Sequence, residues 1–359
     1  MANSHEKIGL SQQARQHREM RQAVLRQHPE ARHLAGPQQL TVLAAPLLLA
    51  IHWSIASLVS GSNLLTVFIT AFFAGQLVMH ATGALVHETA HKLVFRQRLP
   101  KLLFDLNLEL ILGSFSKQLT YQHEHVSSHH PYMGIYDRDY EHEDICGYLA
   151  RQKYTQQHPR CQRLVTIATL LIHALPFGFL LADEIFPRFY RYVMRREVTD
   201  KQRDIGATRP SRFDQNLFIA VSLLTNIILF MAFGFLGWLY HNWSLSLFLG
   251  KCGITNLGQS LSEHDGSNSE IPTFSTYWWG NKILFNTGYH NEHHTFPNVP
   301  WTRLPLLTRI SPEIFHAARK KSYFQFWWEH VKNDFSPSRY NDMMQADMSE
   351  RCPEIQPGQ

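Results

Sequence analysis

Five apolar runs constrain this 359-residue chain more than any other feature, because each is near the roughly 20 residues a helix needs to cross a bilayer core of about 30 Å. Residues 40–60 and 64–86 are parted only by Gly61, Ser62 and Asn63. The run 164–182 stands alone, and 217–240 and 245–261 are parted by His241, Asn242, Trp243 and Ser244. A mean hydropathy of −0.24 hides this segregation. Between the runs lie segments crowded with arginine, histidine and carboxylates.

Five crossings would leave the histidine-rich segments on opposite sides of the bilayer, so one run must do something else. Short loops rich in Lys and Arg stay cytoplasmic. Residues 183–216 hold Arg188, Arg191, Arg195, Arg196, Lys201, Arg203, Arg209 and Arg212, whereas the turns at 61–63 and 241–244 hold none. The sequence therefore predicts an all-α integral membrane fold with four transmembrane helices in two hairpins, at about 40–60, 64–86, 217–240 and 245–261. Both termini and every large loop are expected in the cytoplasm, in a bacterial inner membrane or the endoplasmic reticulum. The run 164–182, interrupted by Pro176, is read as an interfacial or re-entrant helix, and 102–115 as lying on the membrane surface. One domain covers 1–359, with a cytoplasmic N-terminal segment at 1–38 and a helical head made of 87–216 and 262–340. Lys251, Asn256 and Gln259 in the last run are expected to face a cavity, as polar groups at membrane depth usually do.

The basic bias is mild, 34 Lys and Arg against 29 Asp and Glu, and comes without a basic helix or finger spacing. That argues against nucleic acid and fits attraction to anionic membrane lipid. Cys146, Cys161, Cys252 and Cys352 are too scattered for a metal pair or a disulfide framework, which suits reducing cytosol. The polar stretch 1–36 does not read as a cleaved secretory signal.

Most of the chemistry lies in the 22 histidines. His87 and His91 close the second run with helical i, i+4 spacing, which puts both rings on one helix face. His125 and His129 repeat that spacing, with His130 adjacent, and His290, His293 and His294 form a third box. A lone His264 follows the last run. All fall on the side deduced from charge. Imidazole suits iron, zinc and copper, and eight or nine imidazoles exceed the coordination of one ion, so two metals are implied. Taken alone, His87, Glu88 and His91 match a zinc-peptidase motif, and single residues such as His52 and His173 read as packing.

These boxes, in this order, resemble those of the membrane-bound fatty acid desaturase superfamily. Residues 286–298 around the third box, the stretch 17–36, and Ser262, Glu263 and His264 resemble the sphingolipid Δ4-desaturase branch. The resemblance implies a diiron site held by His87, His91, His125, His129, His130, His264, His290, His293 and His294, with dioxygen as co-substrate. It also implies a fatty acid or lipid acyl substrate in a tunnel among the spans, with Tyr277, Trp278 and Trp279 at its mouth or as interfacial anchors. No dinucleotide-binding glycine pattern or spare domain is present, so a separate electron donor is expected, a cytochrome b-type protein, a ferredoxin or similar. Residues 188–212 would dock it or meet the membrane surface. The second box departs from that branch by one residue, which leaves His123 as an alternative to His125, and Ser260 stands where some members carry asparagine. The expected function is an O2-dependent oxidoreductase that desaturates fatty acyl or sphingolipid-type chains. One alternative is an oxidative decarboxylase turning free fatty acids into terminal alkenes, and a second is a membrane zinc endopeptidase.

Overall fold

The computed structural model describes residues 10–133, 139, 159–185, 208–264, 272–316 and 318–333. Helix α1 (Gln12–Gln27) starts at Ser11, whose hydroxyl accepts the Ala14 N–H at 3.1 Å. Helices α2 (Ala44–Val59) and α3 (Leu64–Ala90) flank the expected tight turn. Asn63 fixes that turn by capping α3, its side chain accepting the Thr66 N–H at 3.0 Å. Helix α4 (Arg98–Leu112) buries Phe104, Leu108 and Ile111 and exposes Leu99 and Leu103. Its end at Gly113 is left-handed, and a Cβ there would lie 2.7 Å from His241 Nε2.

The next long helix, α5 (Arg212–Leu249), is two helices in one. On a straight helix Asn226 and Trp238 would stand about 18 Å apart. Instead Trp238 Nε1 and Asn242 Nδ2 donate to Asn226 Oδ1 at 2.8 and 2.9 Å. The chain therefore doubles back at Gly234 (φ 65°, ψ −170°) into antiparallel arms 212–233 and 235–249. This corrects the turn expected at 241–244 and the limits 217–240 and 245–261. His241, Asn242 and Ser244 are helical and at most 1 % exposed. They looked like a loop because they are polar, but each makes a hydrogen bond inside the bundle: His241 Nδ1 meets His52 Nε2 at 3.0 Å, and Ser244 Oγ donates to Tyr240 O at 2.6 Å. Gly234 has open space around it, so a side chain there strains only the backbone. Gly234→Ala is expected to destabilise the fold by about 1–3 kcal/mol, read as a lower melting temperature in detergent.

Among the described residues, three helical stretches are long and apolar enough to cross a membrane: Pro29–Val59, Leu64–Ala90 and Arg212–Glu263. Their outward faces are apolar, with Leu58, Phe73 and Met231 each more than two-thirds exposed. Such continuous apolar surface belongs in lipid, and the chain is an integral membrane protein. The run 164–182 breaks after His173, Phe177 being left-handed, and its carbonyls at Ala174 and Leu175 accept from Trp243 and Ser246 of α5.

The core lies between α2, α3, α4 and the second arm of α5, around Met79, Leu85, Leu108, Leu245 and Phe248. Helix α6 (Ile254–Glu263) runs beside α3. Gln76 Oε1 accepts the Ile254 N–H at 3.0 Å, and His80 Nε2 meets Gln259 Oε1 at 2.6 Å. In step, α3 and α6 deliver His87, His91 and His264 to the same end of the bundle. Above them, a short parallel pair, β1 (Ser275–Thr276) and β2 (Ala318–Arg319), and helix α7 (His290–Thr295) complete the head.

Candidate metal centre

Among the described residues, nine imidazoles converge in two groups. His87, His91, His125, His130 and His293 form one, and His129, His264, His290 and His294 form the other. Within each group one ligand atom per residue lies within 4.8 Å of every other. His130 Nε2 stands 3.1 Å from His125 Nε2 and 3.3 Å from His293 Nε2, and His290 Nε2 stands 3.1 Å from His264 Nε2. Two nitrogens bound at about 2.1 Å to one ion at right angles are about 3 Å apart, so these spacings would let the paired rings share one ion.

The backbone explains how the boxes are divided. Residues His125–His129 form a π turn, in which i and i+5 come round to one face. His125 and His130 therefore join one group while His129 enters the other. The i, i+4 pairing expected for His125 and His129 is corrected on that ground. In α7, His290 and His294 keep that pairing and His293 turns to the neighbouring group. His123 is outside both groups, its Nδ1 2.9 Å from Thr208 Oγ1.

The donor set fits cations. The buried Nε2 atoms of His91 and His294 have no hydrogen-bond partner among the described residues. An orphaned buried nitrogen costs free energy unless something fills its lone pair. Burial, reinforced by neighbouring imidazoles, pushes His125, His130, His293 and His294 well below the ordinary histidine value, so they are neutral and able to ligate.

Carboxylates stand behind these rings. His129 Nδ1 lies 2.9 Å from Asp139 Oδ1, both residues 1 % exposed, and His290 Nδ1 lies 3.4 Å from Glu263 Oε2. A carboxylate so placed fixes the tautomer and raises the basicity of the ligating nitrogen. Both serve the four-histidine group. Glu292 is buried in α7 and accepts from Ser275, Tyr277 and Thr308. Neither Asp139 nor His17, whose ring lies tilted against that of His294 with centroids 5.3 Å apart, was singled out from sequence. Both are distant in the chain, and a lone Asp or His carries no spacing signal.

A cavity of about 340 Å³ opens beside the imidazoles of His87, His125, His290 and His293. Leu112, Leu245, Phe248 and Leu249 give it apolar walls, and Asn256, Gln259 and Ser260 supply polar ones. Asn256 and Gln259 thus face a cavity as expected; Lys251 is not among its lining residues. Tyr277, Trp278 and Trp279 do not line it either. Tyr277 donates to Glu292, Trp278 packs on Tyr323, and Trp279 is 76 % exposed. Of the arginine-rich segment 188–212, residues 188–207 lie outside the described residues, as do Cys146 and Cys352.

Behind the cavity wall, Glu109 is fully buried against Ser114, Gln118 and Ser222. Ser222 accepts the Phe115 N–H at 3.0 Å and reaches the Phe218 carbonyl at 3.0 Å as well as Glu109 Oε1. With one hydroxyl hydrogen for two acceptors, both contacts of Ser222 are satisfied when Glu109 carries a proton and donates to Ser222. Burial raises its pKa in agreement. Between the unfolded carboxyl value and that raised value, only the folded state holds the proton, so stability falls as pH rises. Glu109→Gln removes the slope, and its melting temperature relative to the parent is expected to rise from pH 4.5 to pH 7.

A helical membrane protein with two histidine clusters against one cavity is the class these features define. The fatty acid desaturase family model matches residues 62–327, and the chain belongs to that family. It is similar to sphingolipid delta(4)-desaturase DES1-like proteins of Oryza sativa (24 % identical, covering 88 % of this chain and 86 % of the relative) and Arabidopsis thaliana (26 %, 88 % and 85 %). It is likewise similar to the sphingolipid delta(4)-desaturase of Schizosaccharomyces pombe (27 %, 83 % and 77 %). The decarboxylase and peptidase readings find no support among these relatives. The peptidase reading also left His293 without a role, yet His293 shares a group with His87 and His91.

Proposed function

We propose that this chain is an oxygen-dependent desaturase of a sphingolipid-type acyl chain, with two iron ions held by His87, His91, His125, His130 and His293 and by His129, His264, His290 and His294. One observation carries the reading: both histidine groups border a single cavity whose apolar walls include Ala84 of α3 and Leu245 and Phe248 of α5. When bound, the irons supply the activation of dioxygen needed to break unactivated C–H bonds. The protein's part is binding and exclusion. Leu112, Leu245 and Phe248 hold the alkyl chain and keep water out, while Asp139 and Glu263 hold the ligand rings in register.

The reaction balances as one CH2–CH2 unit, one dioxygen, two electrons and two protons giving one CH=CH unit and two waters. A separate one-electron donor protein supplies the electrons. We read residues 1–359 as one domain with four crossings, α2, α3, the 212–233 arm and the stretch 235–263. The hairpin turns at 60–63 and Gly234 face outward, and the histidine head, to which the described residues of 87–211 and 264–333 contribute, faces the cytoplasm. The names of the relatives point to a sphingoid lipid as substrate. To test this, the chain is expressed in a host lacking the activity and fed a saturated N-acyl sphingoid base. The expected product has two hydrogens fewer and forms only with oxygen present. Conversion of free fatty acids to terminal alkenes, with the sphingoid lipid untouched, would contradict it.

A further inference from the structure

We infer that the outer face of α1 docks an acidic one-electron carrier protein, and that His17 on its inner face links that carrier to the metal centre through His294. The inference rests on the metal-centre reading above and adds the place where electrons enter.

Helix α1 is fastened to the site at several points. Ser11 N–H donates to Pro131 O at 3.0 Å, one residue beyond His130. His17 is 4 % exposed, with Nδ1 2.9 Å from Thr295 Oγ1 and Nε2 3.2 Å from Thr273 Oγ1. Its ring centroid lies 5.3 Å from that of His294. Both nitrogens of His17 are thus engaged by hydroxyls, which leaves it a contact to a ligand rather than a ligand.

The helical repeat sorts the rest of α1. At 100° per residue, Arg15, Arg18, Glu19, Gln22 and Arg26 fall in one stripe of net positive charge, with His17 and Val24 on the opposite side. Arg15, Arg18 and Arg26 are exposed, and none makes an ion pair among the described residues. Arg26 sits in the last turn, where a cation suits the helix dipole, but Arg15 and Arg18 in the first two turns have no such role. The stripe lies about one helix diameter, roughly 10 Å, outside His17. Electron tunnelling weakens exponentially with distance, so a carrier seated on the stripe has a short route to the centre, and complementary charge would steer it there.

A lipid surface fits this face less well. Interfacial helices set an apolar face into the headgroup region. Here Val24, Met20 and Leu25 pack against Phe296, Leu304 and Leu307 instead, and the exposed stripe carries three arginines, Gln22 and the single carboxylate Glu19, with no exposed apolar side chain.

The transfer is one electron per encounter, the carrier being oxidised and one ferric ion reduced to ferrous. The test uses the full-length protein in detergent with the soluble acidic haem domain of a cytochrome b-type carrier as probe. Arg15→Glu, Arg18→Glu and Arg26→Glu together are expected to weaken carrier binding by about tenfold or more at low salt, a difference that closes at high salt. Reduction by dithionite and iron content should not change. His17→Gln is expected to leave carrier binding intact while slowing carrier-driven reduction. Unchanged carrier binding in the triple variant overturns the docking surface, as does a loss confined to binding of phosphatidylserine vesicles. Unchanged carrier-driven reduction in His17→Gln overturns the entry route. Because carrier binding is read without reference to metal, a protein lacking iron would fail the metal-centre reading while the binding result still decides the docking.

Discussion

His264→Ala is expected to lower bound iron from two ions per chain to about one and to abolish turnover. His264 follows the end of α6 and contributes to the four-histidine group alone. Its loss leaves three imidazoles there and all five in the other group. Replacing a ligand should cost more than the roughly 10–100-fold that loss of a partner behind a ligand costs. His293→Ala is the complementary change, since it takes one imidazole from the five-histidine group. His123→Ala is the control, because that ring meets Thr208 outside both groups. Metal analysis of the purified variants, with product formation from the saturated lipid, checks all three. Loss of iron in His123→Ala, or two ions retained in His264→Ala, would contradict the assignment.

Asp139→Asn and Glu263→Gln should each weaken retention of one ion by about 10–100-fold. Each change keeps size and removes the charge that holds a ligating ring, His129 for Asp139 and His290 for Glu263. Both rings belong to the four-histidine group, so that ion should leave first under chelator challenge while the five-histidine ion stays. Two-phase iron release, with only the faster phase accelerated by either substitution, is the expected result. Equal acceleration of both phases would mean that the carboxylates support the head as a whole rather than one ion.

Much of the site is legible from spacing, because metal ligation demands particular residues at particular intervals. His87 and His91, and likewise His290 and His294, share a helix face as their i, i+4 interval requires. The split of His125 from His129 could not be read that way, since a π turn changes the interval and leaves no mark in composition. The first hairpin was legible because Gly61, Ser62 and Asn63 make a turn in chemistry as well as in position. The second was displaced because His241, Asn242 and Ser244 look like a loop, although His52, Asn226 and the Tyr240 carbonyl each give one of them a hydrogen bond inside the bundle. Gly234, an ordinary residue in an apolar run, made the true reversal. Asp139 and His17 gain meaning only from tertiary contact, which pattern reading does not reach.

Iron quantitation with X-ray absorption at the iron edge, on protein purified with its metal, bears most directly on the account. Two irons per chain, each in a nitrogen-dominated shell at about 2.1 Å, is the expected outcome. A single zinc, or a metal retained unchanged when His290, His293 and His294 are all replaced by alanine, would contradict the central claim that all three boxes close on one pair of ions.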